Sequence, residues 1–252
     1  MSSPYDFSPE ACRRDVRTFG FRGREYVVRC CDQQWHPSNW SFQDEVETRE
    51  LWWRVEPGHV VMDVGADFGS YSLTALVSGA ALVVAWSPPF KVPTVAVEAM
   101  TLRASAELNG WGDRINVLDT GLWHQPGWLA AFDGPRPAVY CDTRAEALAT
   151  IEGQPVHCSA FELSTLDRYC AQDLRIQRMD WLKIDTEGCE LSILVGAVRA
   201  IQRFKPRILL EHHYHIDPHC EERCDRWLKG LGYLKEGTRP HGAVAHSLYW
   251  PS

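Results

Sequence analysis

The chain has 252 residues, 45% of them apolar and 23% charged, values that exclude disordered and fibrous classes and allow one well-filled core. A net charge of −7 and a pI near 5.8 leave no surplus of Lys and Arg to neutralise a phosphate backbone, so nucleic acid is not an expected partner. No apolar run reaches the roughly 18 residues of a membrane helix, and the first segment, MSSPYDFSPEACRRDVR, lacks a signal peptide's apolar centre; the expectation is a cytoplasmic protein without a membrane partner.

Residues 1–55 read as an N-terminal extension or lid rich in tryptophan (Trp35, Trp40, Trp52, Trp53), and 56–252 as one α/β domain. Within the extension, REYVVRC (24–30) has strand character and SFQDEVETRELWWRV (41–55) has helical charge spacing. The pattern then becomes regular: HVVMDVG (59–65) is a buried strand ending in glycine, SYSLTALVSG (70–79) a short helix, and AALVVAW (80–86) a fully buried strand. Thr94 is placed to cap a helix running to Gly110, and RINVLDT (114–120) is a third strand.

Between 121 and 160, scattered Pro and Gly break the pattern into short strands or a helical insertion. MDWLKIDT (179–186), ELSILVGAVRAIQRF (190–204) and PRILLEHH (206–213) restore strand, helix and strand, with Leu191, Leu194, Val195 and Val198 on one helical face. GYLKEG and AHSLYW end the chain as a hairpin at one sheet edge. Alternating strands and helices of this kind predict a mostly parallel sheet covered on both faces. The nine cysteines contain no pair of C-x-x-C units and are expected to be reduced and mostly buried.

The most informative stretch is VVMDVGADFGSYSL (60–73), where a strand delivers Asp63, glycines follow at 65 and 69, and a helix begins at once. Such a loop lets a ligand approach the backbone near a helix N-terminus. It is neither the G-x-G-x-x-G fingerprint nor a P-loop. The D-x-G-x-x-x-G pattern resembles the first motif of class I S-adenosylmethionine (SAM) methyltransferases. STLDRYC (164–170) followed by MDWLKIDTEGCELSILVGA (179–197), with LNGWGDRINV (108–117), resembles the FkbM-type methyltransferases over about residues 45–235.

That resemblance implies a class I fold with a seven-stranded sheet, its last strand antiparallel, and SAM lying across the carboxyl ends of the first strands. It implies a cofactor pocket formed by Asp63, Gly65, Ala66, Asp67, Gly69, Ser87 and Asp119, with Asp63 near the amino group of SAM. These enzymes usually end the second strand with an acid that accepts both ribose hydroxyls, whereas this chain has Ser87, which cannot accept two bonds with full charge. Three readings stay open: Ser87 serves weakly, Glu98 substitutes from the next helix, or the cofactor site has degenerated. Glu98 otherwise reads as a solvated helix carboxylate.

Methyl transfer to a hydroxyl needs donor and acceptor held in line and a route for the proton. The candidates are Lys183, Asp185, Glu211, His212 and His213, at or near the ends of the fourth and fifth parallel strands. Lys183 and Asp185 share a face by alternation, and a buried lysine needs a partner. Glu187 and Glu190 suit a helix N-terminus, worth ~0.3–1 kcal/mol each when exposed. By analogy with catechol-type enzymes of the same fold, Asp185, Glu211 and His212 are expected to hold Mg²⁺ or Mn²⁺, or a histidine acts as base directly.

The expected activity is O-methylation of a sugar, glycan precursor or secondary metabolite, with the tryptophans of the extension stacking on the acceptor or packing the extension down. Two other readings are a methyltransferase-fold binding or scaffold protein, supported by Ser87, and an interaction domain stabilised by zinc on Cys220, Cys224, His215 and His219.

Overall fold

The computed structural model describes residues 16–29, 45–89, 97–132, 138–154, 158–173 and 176–252. Trp35, Trp40, Thr94, Cys12, Cys30 and Cys31 lie outside these residues. A hairpin of β1 (Val16–Phe21) and β2 (Arg24–Arg29), turned through Arg22 and Gly23 at positive φ, precedes α1 (Val46–Trp52). Then follow β3 (Val60–Val64), α2 (Ser70–Val77), β4 (Leu82–Trp86), α3 (Val97–Leu108) and β5 (Ile115–Leu118). The irregular middle resolves into β6 (Gly121–Leu122), β7 (Gly127–Phe132), β8 (Val139–Cys141), α4 (Arg144–Ile151) and β9 (Cys158–Ser164). The chain ends with β10 (Trp181–Ile184), α5 (Glu190–Val195), α6 (Val198–Phe204), β11 (Arg207–His213), α7 (Cys220–Gly230), β12 (Tyr233–His241) and β13 (Val244–Pro251).

The principal sheet has seven strands in the order β12-β13-β11-β10-β3-β4-β5. β5, β4, β3, β10 and β11 pair in parallel, as helical crossovers require, and only β13 runs against its neighbours β11 and β12. The terminal hairpin is therefore at the sheet edge as expected, but its second strand is the inner one. A separate four-stranded sheet, β6-β9-β7-β8, forms the insertion. No helix among the described residues is long and apolar enough to cross a membrane.

Strand alternation divides the core. Val61, Val83, Trp181, Leu209 and Leu248 face α1, α2 and α3, while Met62, Val84, Leu182, Ile184, Ile208 and Leu210 face α5, α6 and α7. Trp52 and Trp53 are buried in the first cluster; Trp53 meets the rings of Tyr71 and Trp181 at centroid distances of 5.2 and 5.0 Å. They pack the N-terminal segment down and offer no face for stacking. β2 is fastened to α3 by Asn109, which bonds both the N–H and the carbonyl of Val27 at 2.9 and 2.7 Å.

One expectation needs correction. The single helix over 190–204 is two, interrupted at Gly196 and Ala197; a side chain at Gly196 would come within 2.0 Å of the Trp123 carbonyl oxygen, so glycine is required there. The break exposes Val195 and buries Ile193 in its place. Asp167, of the TLD element, accepts hydrogen bonds from the N–H groups of Arg199 and Ala200 at 3.1 and 2.7 Å, capping α6.

Candidate active site

Toward the carboxyl ends of the strands, the apolar face below α2 turns polar. Register sets Asp63 beside Lys183, Lys183 beside Leu209, and Glu211 beside His246. One side of the sheet thus carries Asp63, Lys183, Asp185, Glu211, His213 and His246, all but Asp185 buried.

Lys183 holds the strand ends together. Its ammonium donates to Asp185 Oδ2 at 2.9 Å and to the Gly65 carbonyl at 3.0 Å, and stands 3.6 Å from Asp63 Oδ1. Burial works against the charged lysine, but Asp185 and Asp63 outweigh it and hold the pKa above the ordinary value. Asp185 shows the converse: burial would raise its pKa, but Lys183 beside it keeps the carboxyl well below the usual range. Asp63 accepts from Ser72 Oγ at 2.6 Å and is fully buried, which raises its pKa against the pull of Lys183. It has no exposed surface and braces the loop from below.

The glycines of the loop answer to the protein's own packing. Gly65 has φ +78°, and a Cβ there would lie 1.7 Å from the Asp185 carbonyl oxygen. Gly69 has φ +92°, and its Cβ would lie 2.2 Å from Leu102 Cδ1. The N–H groups of Gly65 and Ala66 both donate to the Trp86 carbonyl, at 3.0 and 2.9 Å, tying the loop to the end of β4. Asp67 is half-buried at the loop's crest, and Ser87, buried after β4, donates from Oγ to the Asp67 carbonyl at 3.4 Å. Asp119 is exposed just past β5. Glu98 is buried near the start of α3, which corrects its reading as a solvated carboxylate.

His213 is the hub of the acidic end. Its Nδ1 lies 3.1 Å from Glu190 Oε1, and its Nε2 lies 3.3 Å from Glu211 Oε2, 3.5 Å from Glu187 Oε2 and 3.7 Å from Asp185 Oδ1. Burial opposes protonation, but the bonds to Glu190 and Glu211 prevail and push its pKa up to about 11. Burial, then the neighbouring Asp185 charge, push Glu211 up to about 9. Two carboxyls this close divide their titration, one held low and one high. Glu190 is buried, accepting the Thr186 and Gly188 N–H groups at 3.2 and 3.1 Å besides binding His213, so its role exceeds the helix-end contact expected of it.

His212 is the clearest correction. Alternation turns it to the opposite face from Glu211 and His213, where it is fully buried, both ring nitrogens lack hydrogen-bond partners, and burial depresses its pKa to about 4. It therefore leaves both the expected metal set and the expected catalytic set. Among the described residues, the acid–histidine groups close enough to share an ion are Asp185–Glu211–His213 and Glu45–Glu211–His246, and neither contains a cysteine. Cys220 and Cys224 are buried free thiols, and the alternative reading of a zinc cluster within 209–224 finds no such group among the described residues. Glu45 and His246 were missed because neither belongs to a motif; only the pairing of β13 with β11 brings His246 to Glu211.

Residues 63–235 match the family described as Methyltransferase FkbM domain. Similar solved structures include a methyltransferase FkbM from Methylobacillus flagellatus KT, with TM-score 0.55 and 19% identity over 78% of this chain and 44% of that one. Another is yhhF from Escherichia coli, a candidate methyltransferase, with TM-score 0.50 and 12% identity over 94% and 98% of the two chains. A third, a candidate SAM-dependent methyltransferase from Streptococcus mutans, has TM-score 0.55 and 9% identity over 94% and 55%. At such identities the likeness establishes the fold, that of class I methyltransferases. This chain spans 44% of the length of the Methylobacillus protein. No curated protein matches. The family match covers well over half of the chain and takes in both the Asp63 loop and the Asp185–Glu211–His213 cluster, and the chain belongs to the FkbM methyltransferase family.

Proposed function

We propose that the chain is a SAM-dependent O-methyltransferase acting on a hydroxyl of a sugar, glycan precursor or secondary metabolite. The observation that carries the reading is Asp185. Its backbone packs against Gly65 in the loop, its carboxylate is fixed by Lys183, and 22% of its side chain remains exposed where an acceptor would enter. SAM, when bound, supplies the electrophilic methyl group. The Gly65–Gly69 loop and Ser87 are the residues that would hold it: Asp67 keeps exposed surface there, and Ser87 Oγ has only a long bond to the Asp67 carbonyl.

Asp185 orients the acceptor hydroxyl and takes its proton. A base held at low pKa suffices for this, because a hydroxyl oxygen becomes strongly acidic as its new bond to carbon forms. Lys183 keeps the carboxylate ionised and aimed, and Glu190 and Glu211 fix His213 beside it. The expected Mg²⁺ or Mn²⁺ does not fit at Asp185, because an ammonium already stands 2.9 Å from the carboxylate and would repel a dication. Charge neutralisation here belongs to Lys183.

The test is Asp185→Asn, with SAM binding followed by calorimetry and methylated product by mass spectrometry across a panel of hydroxylated acceptors. Turnover should fall at least about a hundredfold with SAM affinity within a few-fold of wild type; unchanged turnover would remove Asp185 from the chemistry. Ser87 in place of an acid favours one second reading, a methyltransferase-fold binding protein. It predicts thermal stabilisation by SAM without product from any acceptor.

A further inference from the structure

A second group of side chains lies beside the proposed catalytic cluster and shares only Glu211 with it. Glu45 stands immediately before α1, Glu211 lies in β11 and His246 in β13, segments far apart in sequence. His246 is fully buried, and neither ring nitrogen makes a well-formed hydrogen bond among the described residues. Its Nε2 points between two carboxylates, 3.4 Å from Glu45 Oε2 and 3.7 Å from Glu211 Oε1. Glu45 Oε2 is itself buried without a hydrogen bond. The Tyr71 hydroxyl is also buried, stands by Glu45 and makes no well-formed hydrogen bond among the described residues; its ring lies 6.5 Å from that of His246. Buried polar atoms of a native protein are rarely left this way, so several converging on one point mark a missing partner.

The spacing identifies the partner's class. Separations of 3.4 and 3.7 Å are long for hydrogen bonds between an imidazole and carboxylates. They are close to the roughly 3.3–3.5 Å that separates neighbouring ligand atoms around a tetrahedral zinc with bonds of about 2.0–2.2 Å. One imidazole nitrogen and two carboxylate oxygens suit a zinc-class divalent ion better than Mg²⁺, which demands six oxygens and keeps its water. Glu211 serves both neighbours without conflict, turning Oε2 to His213 and Oε1 to His246. The Lys183 ammonium is already bound by Asp185 and the Gly65 carbonyl.

We infer that Glu45, Glu211 and His246 form a zinc-class metal site that fastens the N-terminal segment at α1 to the β11–β13 pair. The site shares Glu211 with the proposed methyl-transfer cluster, but its test uses neither SAM nor an acceptor. Chelator-treated protein is titrated with Zn²⁺ by calorimetry, with melting temperature followed in parallel and Co²⁺ absorption reporting coordination. The expected result is one Zn²⁺ per chain, a raised melting temperature, and affinity lowered at least about tenfold in both Glu45→Gln and His246→Gln. His219→Ala, in the stretch whose alternative reading was a zinc cluster, should leave the affinity unchanged. Glu45 is the safer probe, since its side chain is 16% exposed and ends no strand, so Glu45→Gln decides the matter if His246→Gln fails to fold. No stoichiometric Zn²⁺ uptake by the wild type, or wild-type Zn²⁺ affinity in Glu45→Gln, would overturn the site.

Discussion

Ser87 is where this chain departs most from the pattern its family resemblance implies, and the structure shows what the serine does instead. Its hydroxyl reaches back to the Asp67 carbonyl, a long bond at 3.4 Å that steadies the loop weakly and leaves no charge for a diol. A carboxylate at that position would accept two charge-assisted hydrogen bonds, each worth roughly 1.5–3 kcal/mol gross, against the cost of burying it and of losing the serine contact. Ser87→Glu is expected to tighten SAM binding by about tenfold in a calorimetric titration; equal or weaker binding would show that the ribose is held elsewhere. His212 and His213 teach a different lesson at the same scale. They are adjacent and chemically identical, yet one is pushed down to about 4 and the other up to about 11, solely because the strand turns them to opposite faces. Alternation was readable from RILLEHH, and applying it to Glu211 selects His213 and rejects His212 before any coordinates are seen.

At the scale of elements, the TLD sequence gains a physical meaning. Leu166 is fully buried, Thr165 Oγ1 accepts from the Arg168 N–H at 3.1 Å, and Asp167 caps the distant α6, pinning the insertion's exit to the helix pair that backs β10 and β11. Removing a cap of this kind costs about 0.5–2 kcal/mol, so Asp167→Ala should destabilise the fold by about 1–2 kcal/mol in urea unfolding while leaving SAM affinity near wild type. A change under a few tenths would show the cap to be dispensable. The parallel strands and their helices were legible because buried runs such as AALVVAW and a DVG turn have few other solutions. The four-stranded insertion was not, since its strands are short and pair across the sequence: β7 joins β9, and β6 joins β9 in parallel. The need for glycine at 196 was equally hidden, because it is set by the Trp123 carbonyl more than seventy positions earlier. The Asp185–Glu211–His213 cluster was half legible, its members named by strand ends, and Glu190 was named at the helix start, whereas Glu45 and His246 entered only through the folded structure.

Across the whole molecule, closure of the sheet at its β12 edge depends on a network between α7 and the terminal hairpin. Glu221 Oε1 accepts from Thr238 Oγ1 at 2.6 Å and pairs with the Lys235 ammonium, and its other oxygen binds the Tyr214 hydroxyl. Asp225 meets the same Lys235 at 3.0 Å and the Tyr249 hydroxyl, so one helix face is buttoned to both strands of the hairpin. Burial would raise the Glu221 carboxyl, but Lys235 and the two hydroxyls prevail and hold it at about 2 against an ordinary 4.5. The unfolded chain therefore takes up the proton first as acid is added. The stabilisation is complete above about pH 4.5 and is lost as pH falls through the folded value near 2. Glu221→Gln keeps the shape and removes the charge, so the variant should be less stable than wild type at neutral pH, and the gap between them should close between about pH 4.5 and 2. Urea midpoints measured across that range check the assignment. A gap that stays constant with pH would mean that Glu221 acts through packing, and that the edge is held by the apolar contacts of Leu228 and Tyr233 with the core.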